Sequence, residues 1–291
     1  MRRIFRPLLL TLLFIVVFFA SACSRNTENE HLPEYCQTYS GFTSFASKDF
    51  YDLLTDSGIS INRGDYFDAI SIISLTFEVD EPGRNIDLSG IQCFQNLTDI
   101  SLTGQSFKDL SPISALHNIQ SIELIGTSVV SIDSFRNLSK IKSLEISDTL
   151  TLQSVDGVEE MTKLTNLDLS NNGIVNIEGL NNLINLRTLY LNNNEIIEFP
   201  SINNLEFLEV LDISDNNINK LGEDLSGLSN LVTLNAENNE ICDISTLDDL
   251  VSIETLILSN NDLGCGGEGV SPNFDSLENA PNLLELRLDN N

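Results

Sequence analysis

A chain of 291 residues with 15 Lys and Arg against 43 Asp and Glu carries a formal charge of −28. That field repels phosphate backbones and anionic lipid surfaces, which argues against a nucleic-acid ligand. Hydrophobic residues at 41% and charged ones at 20% exclude a disordered composition and suit one or two globular domains.

The N-terminus reads "MRRIFRPLLLTLLFIVVFFASACS": Arg2, Arg3 and Arg6, an apolar run from Leu8 to Ala20, small residues, then Cys23. This is the order of a secretory signal, and the run is shorter than the roughly 20 apolar residues that span a bilayer, so residues 1–22 are predicted to be removed. The junction Ala20-Ser21-Ala22-Cys23 resembles a bacterial lipoprotein lipobox, with Ala20 where that pattern usually has Leu. The resemblance implies that Cys23 becomes the lipidated, palmitate-bearing first residue of the mature chain and its membrane anchor. Ser24 beside it resembles the default signal for sorting to the outer membrane of the bacterial envelope. Ordinary signal-peptidase cleavage to a secreted form is the alternative. Residues 23–33 are polar and suit a tether.

Residues 34–69 contain "SKDFYDLLTDSGI", in which Phe50, Leu53, Leu54 and Ile59 form one face of a short helix beginning near Ser47. From residue 70 onward the chain repeats itself. "LTNLDLSNNGI" at 164 returns as "LRTLYLNNNEI" at 186, "LEVLDISDNNI" at 208, "LVTLNAENNEI" at 231 and "IETLILSNNDL" at 253, steps of 22, 22, 23 and 22 residues. Less regular copies start at 97, 119 and 141, a degenerate one at 70 and a last one at 283. The pattern L-x-x-L-x-L-x-x-N at a fixed period is the leucine-rich repeat signature. Each copy supplies one short strand with alternating inward and outward residues, and stacked copies share a core that one copy cannot bury alone.

Asn172, Asn194, Asn216, Asn239, Asn261 and Asn291 hold the ninth position, where an inward amide can give and accept backbone hydrogen bonds as a structural ladder. Gln105, Thr127 and Thr149 stand there in the early copies, which predicts a looser ladder. The second half-repeat, as in "IVNIEGLNNLIN" at 174–185, suits short 3₁₀ or single-turn helices. Period and half-repeat together resemble the bacterial internalin-type leucine-rich repeat proteins over residues 70–291. The resemblance implies an α/β repeat fold: a right-handed solenoid of about ten turns with a parallel sheet on the concave face, short helical turns on the convex face and a helical N-terminal cap over 34–69. The last turn is expected to be incomplete: the solenoid ends bluntly on Leu283, Leu286 and Leu288, or the chain is shortened relative to its relatives, or that edge meets another chain.

Besides Cys23 there are four cysteines, an even number in an exported chain. Cys242 and Cys265 occupy nearly equivalent places in consecutive turns and could bridge them; Cys36 in the cap and Cys93 in the first repeat could form the other pair. Four separate buried thiols are the alternative. His31 and His117 are the only histidines, and no C-x-x-C spacing exists, so no metal site is expected. Insertions at 78–85 and 264–276 follow strands and should project from one edge.

The fifth position of each copy points outward from the sheet: Ser101, Glu123, Glu145, Asp168, Tyr190, Asp212, Asn235 and Ile257. Glu123, Glu145, Asp168, Tyr190, Asp212 and Asn235 form the candidate partner-binding set, an aromatic among carboxylates that suits a cationic protein surface. A merely solvated acidic face is the alternative. Thr188, Asn192, Ser170 and Ser214 beside them are small and polar. No G-x-S-x-G, phosphate loop or cofactor motif occurs, and no catalytic residue is assigned. The expected function is that of a non-enzymatic, lipid-anchored envelope protein that binds another protein in adhesion or recognition. A structural envelope lipoprotein assembling through edge or end contacts is the competing expectation.

Overall fold

The computed structural model describes residues 47–59, 71–78, 85–104, 106–221, 227–247, 250–265 and 280–291, with residues 69, 225, 274 and 277. The leader, Cys23, Ser24, His31, Cys36, Gln105 and most of the two insertions lie outside the described residues.

A short helix, α1 (Lys48–Asp56), comes first. The Ser47 hydroxyl accepts from the Phe50 N–H at 3.1 Å and so satisfies one of the free donors of the first turn. The same hydroxyl donates to the Asp87 carbonyl, and the Ser47 N–H donates to the Ser89 carbonyl at 2.7 Å. These bonds clip the helix to the first turns of the repeat. Its face of Phe50, Leu53 and Leu54 is fully buried. Phe50 meets Phe77 and Phe94 edge-on, with ring centroids 6.2 and 5.6 Å away. Ile59 packs against the same core while partly exposed.

The strands then follow at the repeat period. In the first half these are β1 (Ser74–Glu78), β2 (Asn85–Asp87), β3 (Asp99–Thr103), β4 (Ser106–Asp109), β5 (Ser121–Ile125) and β6 (Ser143–Ser147). In the second half they are β7 (Asn166–Asp168), β8 (Thr188–Tyr190), β9 (Val210–Asp212), β10 (Thr233–Asn235), β11 (Thr255–Ile257) and β12 (Glu285–Arg287). Ten of them form one parallel sheet in the order β1-β3-β5-β6-β7-β8-β9-β10-β11-β12, and β2 pairs in parallel with β4 in a second, two-stranded sheet. A sheet whose order follows the chain, with every neighbour parallel, requires the chain to return to the same end after each strand. That return is the solenoid path.

Short 3₁₀ turns carry the return at Ile91–Cys93, Ser111–Ala115, Asp133–Phe135, Val158–Glu160, Leu180–Asn182 and Ser245–Leu247. Each turns one apolar residue inward, among them Ile91, Ile113, Phe135, Val158, Leu180 and Leu247. Opposite them the sheet contributes the column Leu75, Ile100, Ile122, Leu144, Leu167, Leu189, Leu211, Leu234 and Leu256, all at most 2% exposed. Burying one such side chain stabilises the fold by about 1.5–3 kcal/mol, and the gain recurs with each turn. No helix among the described residues is long and apolar enough to cross a membrane.

The turn out of each strand has a backbone requirement that the repeat meets in two ways. The eighth position has positive φ in copy after copy: Gly104 and Gly126, then Asp148, Asn171, Asn193, Asp215, Asn238, Asn260 and Asn290. Gly reaches this region without a Cβ clash, and Asn and Asp tolerate it better than other side chains. The asparagine pair of "SNNG" therefore divides its work. The first residue bends the chain, and the second points inward.

Cys242 and Cys265 form a disulfide with Cα atoms 5.4 Å apart, bridging two consecutive turns. Cys93 is also disulfide-bonded.

Candidate functional site

Strand register lays the outward residues of the fifth position side by side. Thr76 pairs with Ser101, Ser101 with Glu123, Glu123 with Glu145 and Glu145 with Asp168. The row continues through Tyr190, Asp212, Asn235 and Ile257 to Arg287. Neighbouring strands stand about 4.8 Å apart, so residues separated by 22 to 30 positions in sequence become one contiguous stripe.

Four residues of the stripe are hydrogen-bonded within the sheet face. Asp168 Oδ1 accepts from the Ser170 N–H at 2.9 Å and from its hydroxyl at 2.7 Å. Asp212 Oδ1 is held in the same way by Ser214, at 3.0 and 2.6 Å, and its Oδ2 accepts from Asn235 Nδ2 at 3.0 Å. Asn235 Oδ1 in turn accepts from the Glu237 N–H at 3.2 Å. Tyr190 stands half-buried between the two fixed carboxylates. Glu145 accepts from the Ser147 hydroxyl at 3.1 Å. Its carboxyl is raised above the ordinary value, first by burial and then by the charge of Asp168, with Glu123 and Asp148 adding to the shift and Ser147 opposing it.

The ninth-position asparagines lie on the inner side, away from this stripe. Asn194 Nδ2 donates to the carbonyls of Leu169 and Leu191, each at 2.9 Å, and its Oδ1 accepts from the Ile174 N–H at 3.0 Å. Asn172, Asn216, Asn239, Asn261 and Asn291 likewise donate to a carbonyl of the preceding turn, at 2.6–3.0 Å. Upstream the pattern lapses. Thr149 reaches only to Asn172 Oδ1, and the Thr127 hydroxyl is buried without a partner among the described residues. A second ladder, which sequence reasoning missed, joins the exposed eighth-position residues: Asn193 to Asn171 at 2.7 Å, Asn238 to Asp215 at 2.7 Å and Asn290 to Asn260 at 2.8 Å. Its sequence signal was the Asn or Asp that precedes each ladder asparagine.

Among the described residues, no group of three or more His, Cys, Asp or Glu could hold a metal ion. His117 is exposed at the end of its 3₁₀ turn, away from the stripe.

Comparison with known proteins agrees with this geometry. The leucine-rich repeat region family matches residues 167–288. The fold is a leucine-rich repeat solenoid. Internalin C2 of Listeria monocytogenes is 26% identical with a TM-score of 0.59, over 82% of this chain and 92% of that one. A leucine-rich repeat protein of Leptospira interrogans is 23% identical with a TM-score of 0.59, over 68% of this chain and 50% of that one. The leucine-rich repeat ectodomain of the Arabidopsis thaliana receptor kinase GASSHO1/SCHENGEN3, solved in complex with Casparian strip integrity factor 2, shares the fold at 17% identity and a TM-score of 0.56. That similarity covers 70% of this chain and 31% of the receptor. No curated protein matches the sequence.

Proposed function

We propose that this chain is a non-enzymatic recognition module of a bacterial envelope, anchored through lipidated Cys23, whose leucine-rich repeat sheet binds a cationic surface of another protein. The observation that carries the reading is the stripe Glu123, Glu145, Asp168, Tyr190, Asp212 and Asn235. Two carboxylates flank one aromatic and two more continue the row, and the strands' own serines hold Asp168 and Asp212. Preset side chains lose little freedom on binding, and a half-buried tyrosine among charges has the make-up of an interface anchor. Stacked repeats offer such a face as an extended concave surface. The plant receptor ectodomain, whose fold this chain shares, was solved holding a partner. The leader and the Ala20-Ser21-Ala22-Cys23 junction support the anchor.

The test is affinity capture from envelope and target-cell extracts with residues 24–291, beside a variant carrying Asp168→Lys, Tyr190→Ala and Asp212→Lys. Retention of one partner by the parent and its loss by the folded variant is the expected outcome. Equal capture by both contradicts binding through the sheet. For the anchor, labelled palmitate should enter the parent and not Cys23→Ser, which should leave the membrane fraction.

A further inference from the structure

The early turns depart from the repeat on one edge, and the departure leaves a cavity. β2 and β4 pair as neighbouring turns, and the Ser106 hydroxyl still lies 2.8 Å from that of Ser128 on the next turn. Beyond Ser128 that turn carries no strand until its 3₁₀ segment at Asp133–Phe135. Between β4 and this segment lies a half-open cavity of about 300 Å³, walled by Phe107, Leu110, Val129 and Val130 with Asp109 and Asp133 among its lining.

Two exposed side chains accompany it. Val130 is 71% exposed and Leu150 74%. Leu150 sits one turn on from Ser128, since the hydroxyl of its neighbour Thr151 donates to the Val129 carbonyl at 2.7 Å. Leu150 also has φ +54°, and the other seven non-glycine residues with positive φ among the described residues are all Asn or Asp. A leucine pays for that conformation, and this one fills no core. Folding alone gives no reason for it. Val130 lines the cavity and Leu150 lies one turn beyond its Ser128, so an apolar partner group seated at this edge gives one.

We propose that this edge is a second binding site, separate from the sheet face, which seats one aliphatic or aromatic side chain of an extended, basic segment of a partner protein. The volume stands at the low end of ligand pockets, so it suits one side chain rather than a whole cofactor. Charge selects the flanks. Asp109 is oriented by the Ser111 N–H at 2.8 Å, Asp133 is shared with Arg136, and the chain as a whole carries −28. The chain's charge repels an acidic segment, and a basic one gains chiefly from Asp109, since Arg136 already pairs with Asp133 at 2.6 Å.

The probe is a capped pentapeptide Lys-Lys-Leu-Lys-Lys, compared with Lys-Lys-Ser-Lys-Lys and Glu-Glu-Leu-Glu-Glu, titrated into the full-length chain by calorimetry. The leucine peptide should saturate with a Kd near 1 mM, and the serine and glutamate peptides should bind about tenfold weaker or not at all. Val130→Ser and Leu150→Asn should each weaken it several-fold. Leu150→Asn should melt no lower than the parent, because Asn accepts the left-handed backbone. The sheet variant Asp168→Lys, Tyr190→Ala and Asp212→Lys should bind the peptide as the parent does. Loss of binding in the sheet variant with retention in Val130→Ser would assign the peptide to the sheet and overturn the proposal. So would equal binding of the serine peptide, absence of saturable binding, or a lower Tm for Leu150→Asn, which would make that leucine a folding residue.

Discussion

Replacing Asn194 with Ala removes a side chain that closes three backbone groups at once. Its Nδ2 serves the carbonyls of Leu169 and Leu191, and its Oδ1 serves the Ile174 N–H, all within 3.0 Å and buried between turns. An orphaned buried backbone group costs about 1–3 kcal/mol. Only the Ile174 N–H is orphaned outright, because the Leu169 and Leu191 carbonyls keep the amides of Asn172 and Asn216, so the cost is about 2 kcal/mol. Turns stabilise one another only through their neighbours, so the loss falls on the coupling between two of them. Urea unfolding followed by far-UV circular dichroism should place Asn194→Ala about 2 kcal/mol below the parent, a shift of roughly 0.7 M in midpoint for a slope near 3 kcal/mol/M. Asn193→Ala is the control. It forfeits one exposed bond to Asn171 and a tolerated positive φ, at a cost of about 1 kcal/mol. If Asn194→Ala costs no more than Asn193→Ala, the inward asparagines do not hold the turns together and the reasoning fails.

Three further outcomes follow from the same structure. The raised carboxyl of Glu145 means that the folded state holds this proton more tightly than the unfolded state, so stability falls as pH climbs from the ordinary carboxylate value through the raised one. Glu145→Gln should therefore gain Tm over the parent above that window and none below it; a gain that is the same between about pH 3 and pH 8 contradicts the electrostatic cause. Removing the bridge with Cys242→Ser and Cys265→Ser frees a loop closed over a separation of 23 residues, which chain entropy values at about 3.5 kcal/mol. The doubly substituted chain should melt lower than the oxidised parent and should not respond to reductant in that part of the solenoid. Ser47→Ala loses both the cap on α1 and the bond to Asp87, and should cost about 1–2 kcal/mol in chemical denaturation. An unchanged midpoint would mean that the helix is held by its buried face of Phe50, Leu53 and Leu54 rather than by its cap.

The solenoid was legible because its signal repeats. Leu167 alone says little, but Leu144, Leu189, Leu211 and Leu234 at equivalent places say that each turn needs the same inward residue, and the register pairs them in that order. The short helix was legible from Ser47 and its apolar face. The position of Val130 and Leu150 was not, because irregular copies carry no period to extrapolate and an exposed apolar residue looks like a core residue until the backbone is traced. The αL eighth position is written as Asn, Asp or Gly at a fixed place, but the same residues also suit an ordinary exposed turn, so the backbone requirement shows only in the dihedrals. The stripe could be named from sequence as a column of outward residues. The serine clamps on Asp168 and Asp212 could not, since an i to i+2 side-chain bond depends on how sharply the strand leaves the sheet.

The central claim is that the sheet face, through Tyr190 and its flanking carboxylates, contacts a partner protein. The most direct measurement places a photo-crosslinking amino acid at position 190 and, separately, at position 184, where the exposed Ile184 follows the 3₁₀ turn on the other side of the coil. Irradiation on intact cells should give one discrete heavier species from position 190, abolished when Asp168 and Asp212 are also changed to Lys, and none from position 184. Crosslinks from position 184 with none from 190 would contradict recognition through the sheet.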